Sequence, residues 1–377
     1  MHEGGHHGGD APGSTLRPPG PAVGASTARD VAPGIAAIAT KLAKHYGYQE
    51  EHAHWGTESS LRQGGRDPLD GVSAFNAGDH WHYVSYGLSE LFDDDDRLFP
   101  TRPGESGFGF ELSFRVAKGP DETAPPSWPV GLLQRLARYV FRSGNVFRPG
   151  DHMDLNGPIG GLKKTQLSGA LFAPDPELTT IDARYGRVVF LQVIGVTEDE
   201  LDAVKDWRCE GFLEVVTRHN PKLITNVRRE SFMRDERFAA TCREGARQEG
   251  SSHGSSFASV VRWSLEANGP NTMTLTVGAI AVRDLMRMLT LRLPFNRPFR
   301  LHGREGSVHF VPGLGAGWQE SQSDLVVSVP WDAAHGLARK LAPARGTYEW
   351  PGMPGLTIVV EPTEVRGSRG ELVRVIG

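Results

Sequence analysis

The chain has 377 residues, of which 38% are apolar and 23% are charged, and its formal net charge is −4. This length usually exceeds what one hydrophobic core serves, so two compact lobes are expected. The small negative charge, with no basic block, argues against nucleic acid as a partner. No run approaches the roughly 18 apolar residues that a membrane-spanning helix needs, so no membrane partner is expected either.

Residues 1–32 predict a disordered tail, because their Gly, Pro, Ala, Ser and Thr content cannot bury enough apolar surface to offset the entropy of ordering. The tail has neither the basic start nor the apolar stretch of a secretion signal, which predicts a cytoplasmic location. Its histidines, His2, His6 and His7, leave open whether the tail binds a metal ion.

A first lobe is predicted over residues 33–235, beginning with a helix that opens at Pro33. Phenylalanines and other apolar residues alternate with small or polar ones over 106–116, which predicts a strand with one buried face. The nearly continuous apolar run 188–196 predicts a central strand buried on both faces. Both strands should belong to the sheet of this lobe.

Residues 127–141 predict an amphipathic helix. Its buried stripe contains Leu133, Leu136, Ala137 and Val140. Tyr139 lies about 60° from Leu136 on the helical wheel. A tyrosine on this shoulder can bury its ring and present its hydroxyl to a partner, or it can simply cover the edge of the core.

Residues 236–256 are predicted to be a linker, because apolar periodicity fades there and the segment ends in small polar residues. A second lobe then follows over 257–377. It contains a predicted helix at 334–341 and predicted strands at 258–265, 273–277, 307–311, 325–329 and 356–361. Strands and helices mixed without strict βαβ alternation predict an α+β fold in two lobes.

Five motifs in the first lobe follow one another in a characteristic order. They are HWHYVSYGLSELF (80–92), SGFGFELSFRV (106–116), APPSWP (124–129), LARYVF (136–141) and GDH (150–152). Their order and spacing resemble the Suppressor of fused family. The resemblance continues through motifs at 292–304, 325–341 and 348–362, and so covers nearly everything after residue 32.

The resemblance implies a protein that holds another protein and performs no catalysis, with no cofactor and no catalytic residue. In the family, a short peptide of the partner is held as an added strand in a cleft between the two lobes. The positions matching the family's peptide-holding surface are Tyr139 and Asp151, and we place His152 and Phe141 on the same predicted surface. This chain has Asn156 where the animal members carry a histidine, and it lacks their long polar insertion, so it is not expected to share their peptide.

Asp151 also has a purely local interpretation. It follows Pro149 and Gly150, where its carboxylate can accept hydrogen bonds from its own turn instead of from a partner. A desolvated carboxylate that accepts from a partner would contribute roughly 1.5–3 kcal/mol for each charge-assisted hydrogen bond. The sequence leaves both interpretations open.

Arginine outnumbers lysine by 33 to 8, which hints at a GC-rich bacterial source. In that setting the resemblance suggests an immunity protein that neutralises a toxin, or a cytosolic regulatory adaptor. The partner would be a protein that contributes an extended segment.

The alternative hypothesis is a metal-dependent enzyme. His80, His82, Asp151 and His152 are residue types that bind divalent metals, and histidines two apart on a strand point to the same face. The sequence contains no HExxH signature that would support this chemistry.

Overall fold

The computed structural model describes most of the chain. The described residues are 32–47, 51–93, 99, 102–266, 269, 271–366 and 371–377. Of the predicted tail, only Ala32 falls within them. The remainder of that prediction lies outside the described residues.

Seven α-helices occur within these ranges. They are α1 (Pro33–His45), α2 (Trp128–Ser143), α3 (Glu198–Asp206), α4 (Cys209–Thr217), α5 (Glu236–Glu249), α6 (Ala279–Arg292) and α7 (Trp331–Ala338). Short 3-10 helices lie at Leu61–Gln63, Ile159–Gly161, Phe232–Arg234 and Leu293–Phe295.

The same ranges contain nineteen strands. In the N-terminal part they are β1 (Ala53–Gly56), β2 (Gly71–Asn76), β3 (His80–Tyr86), β4 (Glu105–Ala117), β5 (His152–Asp154), β6 (Leu167–Pro174), β7 (Ile181–Ala183) and β8 (Gly186–Thr197). In the C-terminal part they are β9 (Ser255–Phe257), β10 (Val261–Leu265), β11 (Met273–Gly278), β12 (Phe299–His302), β13 (Ser307–Pro312), β14 (Gly317–Ser321), β15 (Asp324–Val329), β16 (Gly346–Glu349), β17 (Leu356–Glu361), β18 (Thr363–Arg366) and β19 (Leu372–Ile376).

The chain folds into two compact units. Met1–Leu201 and Leu213–Phe232 form the first unit, and Asp202–Phe212 and Met233–Gly377 form the second. The predicted boundary at residue 235 placed Asp202–Phe212 with the first lobe. Trp207 gives a physical reason for the difference, because its indole packs against the backbone of α5 and donates to Glu249 at 2.9 Å.

The first unit is built on one eight-stranded sheet. Its strands run in the order β1-β2-β3-β4-β8-β6-β5, with β7 also paired to β8. Every pair is antiparallel except β4 with β8. The predicted central strand at 188–196 is confirmed as part of β8, which has a neighbour on each side.

Helix α2 covers one face of this sheet. It was predicted over 127–141, and all four residues of its predicted stripe are buried. They pack on a core that includes Phe110, Leu112 and Phe114 of β4. The helix prediction is therefore confirmed to within two residues at its C-terminal end.

Strand β4 departs from its prediction. One buried face was expected, but residues on both of its faces are buried. Phe110, Leu112 and Phe114 lie in the core under α2, whereas Glu111 and Arg115, on the opposite face, are fully buried too. The side chains alternate between the two faces of the strand, as predicted. The polar face is not exposed to solvent, however, because its polar side chains are paired inside the protein.

A buried ion pair lies on that second face. The Arg115 guanidinium donates to both carboxylate oxygens of Asp175, at 2.7 and 2.9 Å, and neither side chain has exposed surface. Arg115 also donates to Glu177 at 3.0 Å, and Asp175 accepts from the Ser113 hydroxyl at 2.6 Å. These contacts join β4 to the segment that follows β6.

His82 extends this network to helix α1. Its Nδ1 lies 2.6 Å from the hydroxyl of Tyr46, the residue that ends α1, and its Nε2 lies 3.4 Å from Asp175. Tyr46 also stacks on Phe75, with ring centroids 4.6 Å apart. Through Tyr46, the polar network fixes the end of α1 against the sheet.

The second unit contains three sheets. Their strand orders are β10-β11-β17-β16, β14-β15-β13-β12-β9 and β18-β19. Each strand predicted in this region overlaps an observed one, and the helix predicted at 334–341 is α7, three residues earlier. The sequence analysis missed α6, whose Leu285, Met288 and Leu289 are fully buried.

The predicted linker at 236–256 is largely helix α5. Asp235 caps this helix by accepting from the amides of Arg237 and Phe238, at 2.8 and 3.3 Å. Its buried face consists mainly of small residues such as Ala239 and Cys242. Small residues carry a weak apolar signal, so the sequence analysis failed to detect the helical periodicity.

The mixed sheets and helices confirm the predicted α+β fold. The binding cleft predicted between two lobes stays a prediction. In the described part of the chain, no helix combines the length and the apolarity that crossing a bilayer demands.

The first prediction concerns the buried pair. Replacing Asp175 with Ala leaves the Arg115 charge buried without its main partner, so we expect the free energy of unfolding to fall by about 3–5 kcal/mol. Chemical denaturation would measure this change. The control is Asp93→Ala, which breaks an exposed pair with Arg184 and should cost less than about 1 kcal/mol. Equal effects of the two variants would contradict the role given to Asp175.

The second prediction concerns acid stability. Burial, helped by the neighbouring Arg115 charge, lowers the pKa of His82 from its ordinary value of 6.5 to about 4. Between these values the unfolded chain binds a proton that the folded protein does not. The contribution of His82 is therefore lost as the pH falls, by about 2 kcal/mol between pH 7 and pH 5.

Denaturation curves of the wild type and of His82→Gln at pH 7 and pH 5 test this prediction. The variant cannot titrate at this position, so its stability should fall less between the two pH values. An identical pH dependence in both proteins would show that His82 does not titrate as described.

Candidate functional site

Strand β5 forms one end of the eight-stranded sheet. It pairs with β6, His152 opposite Leu171 and Asp154 opposite Gly169. Within the described residues, β6 is the only strand that pairs with it. The far edge of β5 therefore offers main-chain groups that could hydrogen-bond an additional strand.

The alternation of hydrogen bonds shows which groups point to that edge. Phe172 donates to the carbonyl of Asp151 at 3.0 Å, and Leu155 donates to the carbonyl of Ser168 at 2.9 Å. In an antiparallel pair, successive residues face alternate sides. The backbone N–H of Asp154 thus points away from β6.

Tyr139 of α2 has 37% of its surface exposed and is linked to β6, the neighbour of β5, through Phe147. Its ring stacks on Phe147, with centroids 5.5 Å apart and planes 20° apart. Phe147 in turn stacks on Phe172 of β6, with centroids 4.0 Å apart. The ring is thus held by packing in a residue that is partly exposed, and its role towards a partner stays a prediction.

The Tyr139 hydroxyl has a neighbour in the loop that follows the helix. The side-chain amide of Asn145 donates to it from Nδ2 at 3.1 Å. Both side chains are exposed, so this bond is made at the surface of the protein.

Asp151 stands at the turn that leads into β5. One of its carboxylate oxygens, Oδ2, accepts from the backbone N–H of Arg148 at 2.7 Å. Gly150 adopts a left-handed φ of 94°, which a residue with a side chain would resist. The bond of the local interpretation is therefore present at Oδ2, and the residue as a whole is exposed.

The other two predicted residues differ from each other. His152 is half-buried in β5. The Phe141 ring packs into the core, edge-on to Phe108 at 4.9 Å and tilted against Phe99 at 5.6 Å. Phe141 thus stabilises the helix that carries Tyr139. A direct contact of either residue with a partner stays a prediction.

The four residues of the alternative metal-site hypothesis do not lie together. His80 and His82 lie on β3, and Asp151 and His152 lie at β5, four strand spacings or about 19 Å away across the sheet. Both β3 histidines are fully buried, His80 beside Asp79 at 2.7 Å and His82 in the network described above. Among the described residues, no group of three or more His, Cys, Asp or Glu side chains is arranged to hold a metal ion. The four residues are of types that bind metals, but they lie too far apart across the sheet to bind the same ion.

Glu111 is a buried carboxylate that the sequence analysis did not single out. Burial raises its pKa to about 7, although hydrogen bonds from Ser85 and Ser89 oppose the rise. Its Oε1 also accepts from the backbone N–H groups of Gly87, Leu88 and Ser89, at 2.9–3.1 Å. A carboxylate so perturbed can indicate catalysis, but this one is fully buried and holds the turn after β3.

The sequence analysis also missed Phe147 and Asn145. Phe147 joins α2 to β6 through its two stacked rings, and Asn145 contacts the Tyr139 hydroxyl. A serine and a glycine at the end of a helix signal a turn, which could have drawn attention to the residues that follow. Which ring they meet depends on the packing.

The sequence of the chain is similar to proteins of one known family. Residues 65–230 match the family model described as Suppressor of fused protein (SUFU). The human and mouse Suppressor of fused homologs are each 41% identical over 179 residues, which cover 44% of this chain and 37% of each relative. The chain thus spans a little over a third of the length of the curated relatives that it matches.

Two solved structures are similar to the chain. Drosophila Suppressor of Fused matches 88% of this chain and 97% of its own, with a TM-score of 0.75 and 23% identity, which shows a shared fold. The structure of the Sufu-Fu complex matches 57% of this chain and 98% of its own, with a TM-score of 0.53 and 33% identity. Together with the matched family domain, these likenesses show that the chain belongs to the Suppressor of fused family.

Proposed function

We propose that this chain is a non-enzymatic protein-binding module that captures an extended segment of a partner protein as an additional strand on β5. The edge of β5, with the partly exposed Tyr139 linked to the neighbouring strand β6 through Phe147, is the observation that carries the proposal. The complex in which the similar Sufu chain was crystallised with Fu supports protein binding as the general activity.

The physical basis is strand addition. An incoming strand would satisfy the main-chain groups along the edge, including the N–H of Asp154, and this pairing would supply affinity for many sequences. Side chains beside the edge would then select among them. Because β5 has only three residues, the pairing is short and depends on such side chains.

Tyr139 and Asp151 are the side chains proposed to select the segment. The Tyr139 ring is held by the stack on Phe147, so little side-chain entropy is lost when its hydroxyl binds. Asp151 uses one oxygen for its own turn and would use the other for a donor of the partner. Its charge would make that bond stronger than one between neutral groups.

Immunity against a toxin and regulation as an adaptor in the cytoplasm are both uses of this one activity. The identity of the captured protein decides between them. An adaptor must release its partner as well as capture it, and a short strand with two polar anchors is suited to reversible binding.

The third prediction tests strand addition with a probe of known sequence. Dodecapeptides would be selected from a random display library on the full chain, and the affinity of the best one measured by fluorescence anisotropy. Asp154→Pro removes the backbone N–H that points outward, so no hydrogen bond to β6 is lost. Proline is tolerated at such edge positions. We expect it to weaken peptide binding at least about 10-fold, since a main-chain hydrogen bond and the strand geometry are both lost.

The matched control is Asp154→Ala, which removes the same side chain but keeps the N–H. It should bind the peptide nearly as well as the wild type. Equal binding by the proline and alanine variants, or failure of the library to yield any peptide, would contradict capture at β5.

The fourth prediction concerns Asp151. In Asp151→Asn the side chain keeps an oxygen that can accept from Arg148, so the turn survives while the charge is removed. We expect peptide affinity to fall about 10-fold, as for loss of one charge-assisted bond. Asp182→Asn, at the exposed residue of β7, is the charge-matched control. Unchanged affinity in a folded Asp151→Asn would exclude the anchor role.

A further inference from the structure

The bond between Asn145 and Tyr139 determines what the tyrosine hydroxyl can offer. A phenolic hydroxyl can accept a hydrogen bond at its oxygen and can donate its own proton. Asn145 donates from Nδ2 to that oxygen at 3.1 Å. The oxygen is therefore engaged as an acceptor, and the proton remains available for a second group.

Local structure holds Asn145 in this position. Gly144 ends α2 in the left-handed region, with φ of 72°, and turns the chain back toward the helix. The Ser143 hydroxyl donates to the carbonyl of Tyr139 at 2.8 Å and accepts from the backbone N–H of Asn145 at 3.1 Å. These bonds place the amide over the exposed end of the tyrosine.

The tyrosine is held from the other side as well. Its ring stacks on Phe147, which is itself buried between Tyr139 and Phe172. The ring therefore cannot swing away from Asn145 without losing the stack. The position of the hydroxyl is thus fixed by Phe147 and Asn145, neither of which needs to contact a partner.

We propose that Asn145 is a specificity-determining residue that makes the Tyr139 hydroxyl a hydrogen-bond donor, so that the captured segment must present a backbone carbonyl to it. This inference rests on the proposed function and specifies the chemistry of one contact, the hydrogen bond from the Tyr139 hydroxyl to the captured segment. A segment that presents a donor, such as a backbone N–H, at that point would leave the hydroxyl proton unmatched, and a donor left unmatched on binding is costly.

Asn145→Asp tests the proposal, because it replaces an amide donor by a carboxylate that can only accept. The carboxylate would accept a hydrogen bond from the Tyr139 hydroxyl, so the hydroxyl proton would point away from the partner. With the selected dodecapeptide as the probe, we expect Asn145→Asp and Tyr139→Phe each to weaken binding about 3- to 10-fold, the range for loss of one neutral hydrogen bond. Asn145→Ala leaves the proton available and should stay within about 2-fold of the wild type.

The double variant separates an effect on the hydroxyl from a direct effect of the new charge. If Asn145→Asp acts through the hydroxyl, it should cause no further loss once Tyr139 is Phe. Further loss in the double variant would mean that the charge repels the peptide directly, and would overturn the proposal. A loss in Asn145→Ala as large as in Asn145→Asp would also overturn it, because Asn145 would then serve only to position the ring.

Two controls lie away from the site. Tyr185→Phe removes another exposed tyrosine hydroxyl, one that donates to Asp93, and Asn226→Asp adds the same charge where the side chain already accepts from Arg228. Both should bind the peptide like the wild type. Unchanged affinity in Tyr139→Phe would overturn this inference and the selecting role proposed for Tyr139, but not capture by the strand edge, which is tested separately at Asp154.

Discussion

A buried charge is tolerated in a protein only when it is paired, and the pairing of Arg115 with Asp175 organises much of the first unit. The two side chains join β4 to the segment after β6, and His82 and Tyr46 extend the contact to the end of α1. On this face the polar network lies beside a small apolar cluster that includes Ile38, Leu42 and Phe190. The opposite face carries the apolar core beneath α2.

This arrangement bears on the candidate site because it ties β4 to the chain that leaves β6, the strand on which β5 pairs. A sheet of this kind ends in an edge, and an exposed edge attracts other strands. Here the edge strand β5 is only three residues long and carries His152 and Asp154, features that limit unwanted pairing. The same shortness makes capture depend on Tyr139, Asp151 and the residues that orient them.

Much of the fold could be predicted where a local pattern sufficed. The stripe of α2, the apolar run of β8 and the strands of the second unit were recognisable because their periodicity reflects burial on defined faces. Helix α5 was mistaken for a linker because its buried residues are small. Strand β4 was expected to have one solvent-exposed face because Glu111 and Arg115 are charged, and charged side chains are ordinarily exposed to solvent.

The chain's motifs were enough to indicate its family, its α+β class and a tyrosine poised on the shoulder of a helix, since each depends on residues near one another in sequence. The separation of His80 and His82 from Asp151, the burial of Arg115 against Asp175, and the contact of Asn145 with Tyr139 could not be inferred in that way. They depend on strand order and on how side chains from distant segments pack. No local pattern encodes such long-range pairings, because they arise only when the whole sheet assembles.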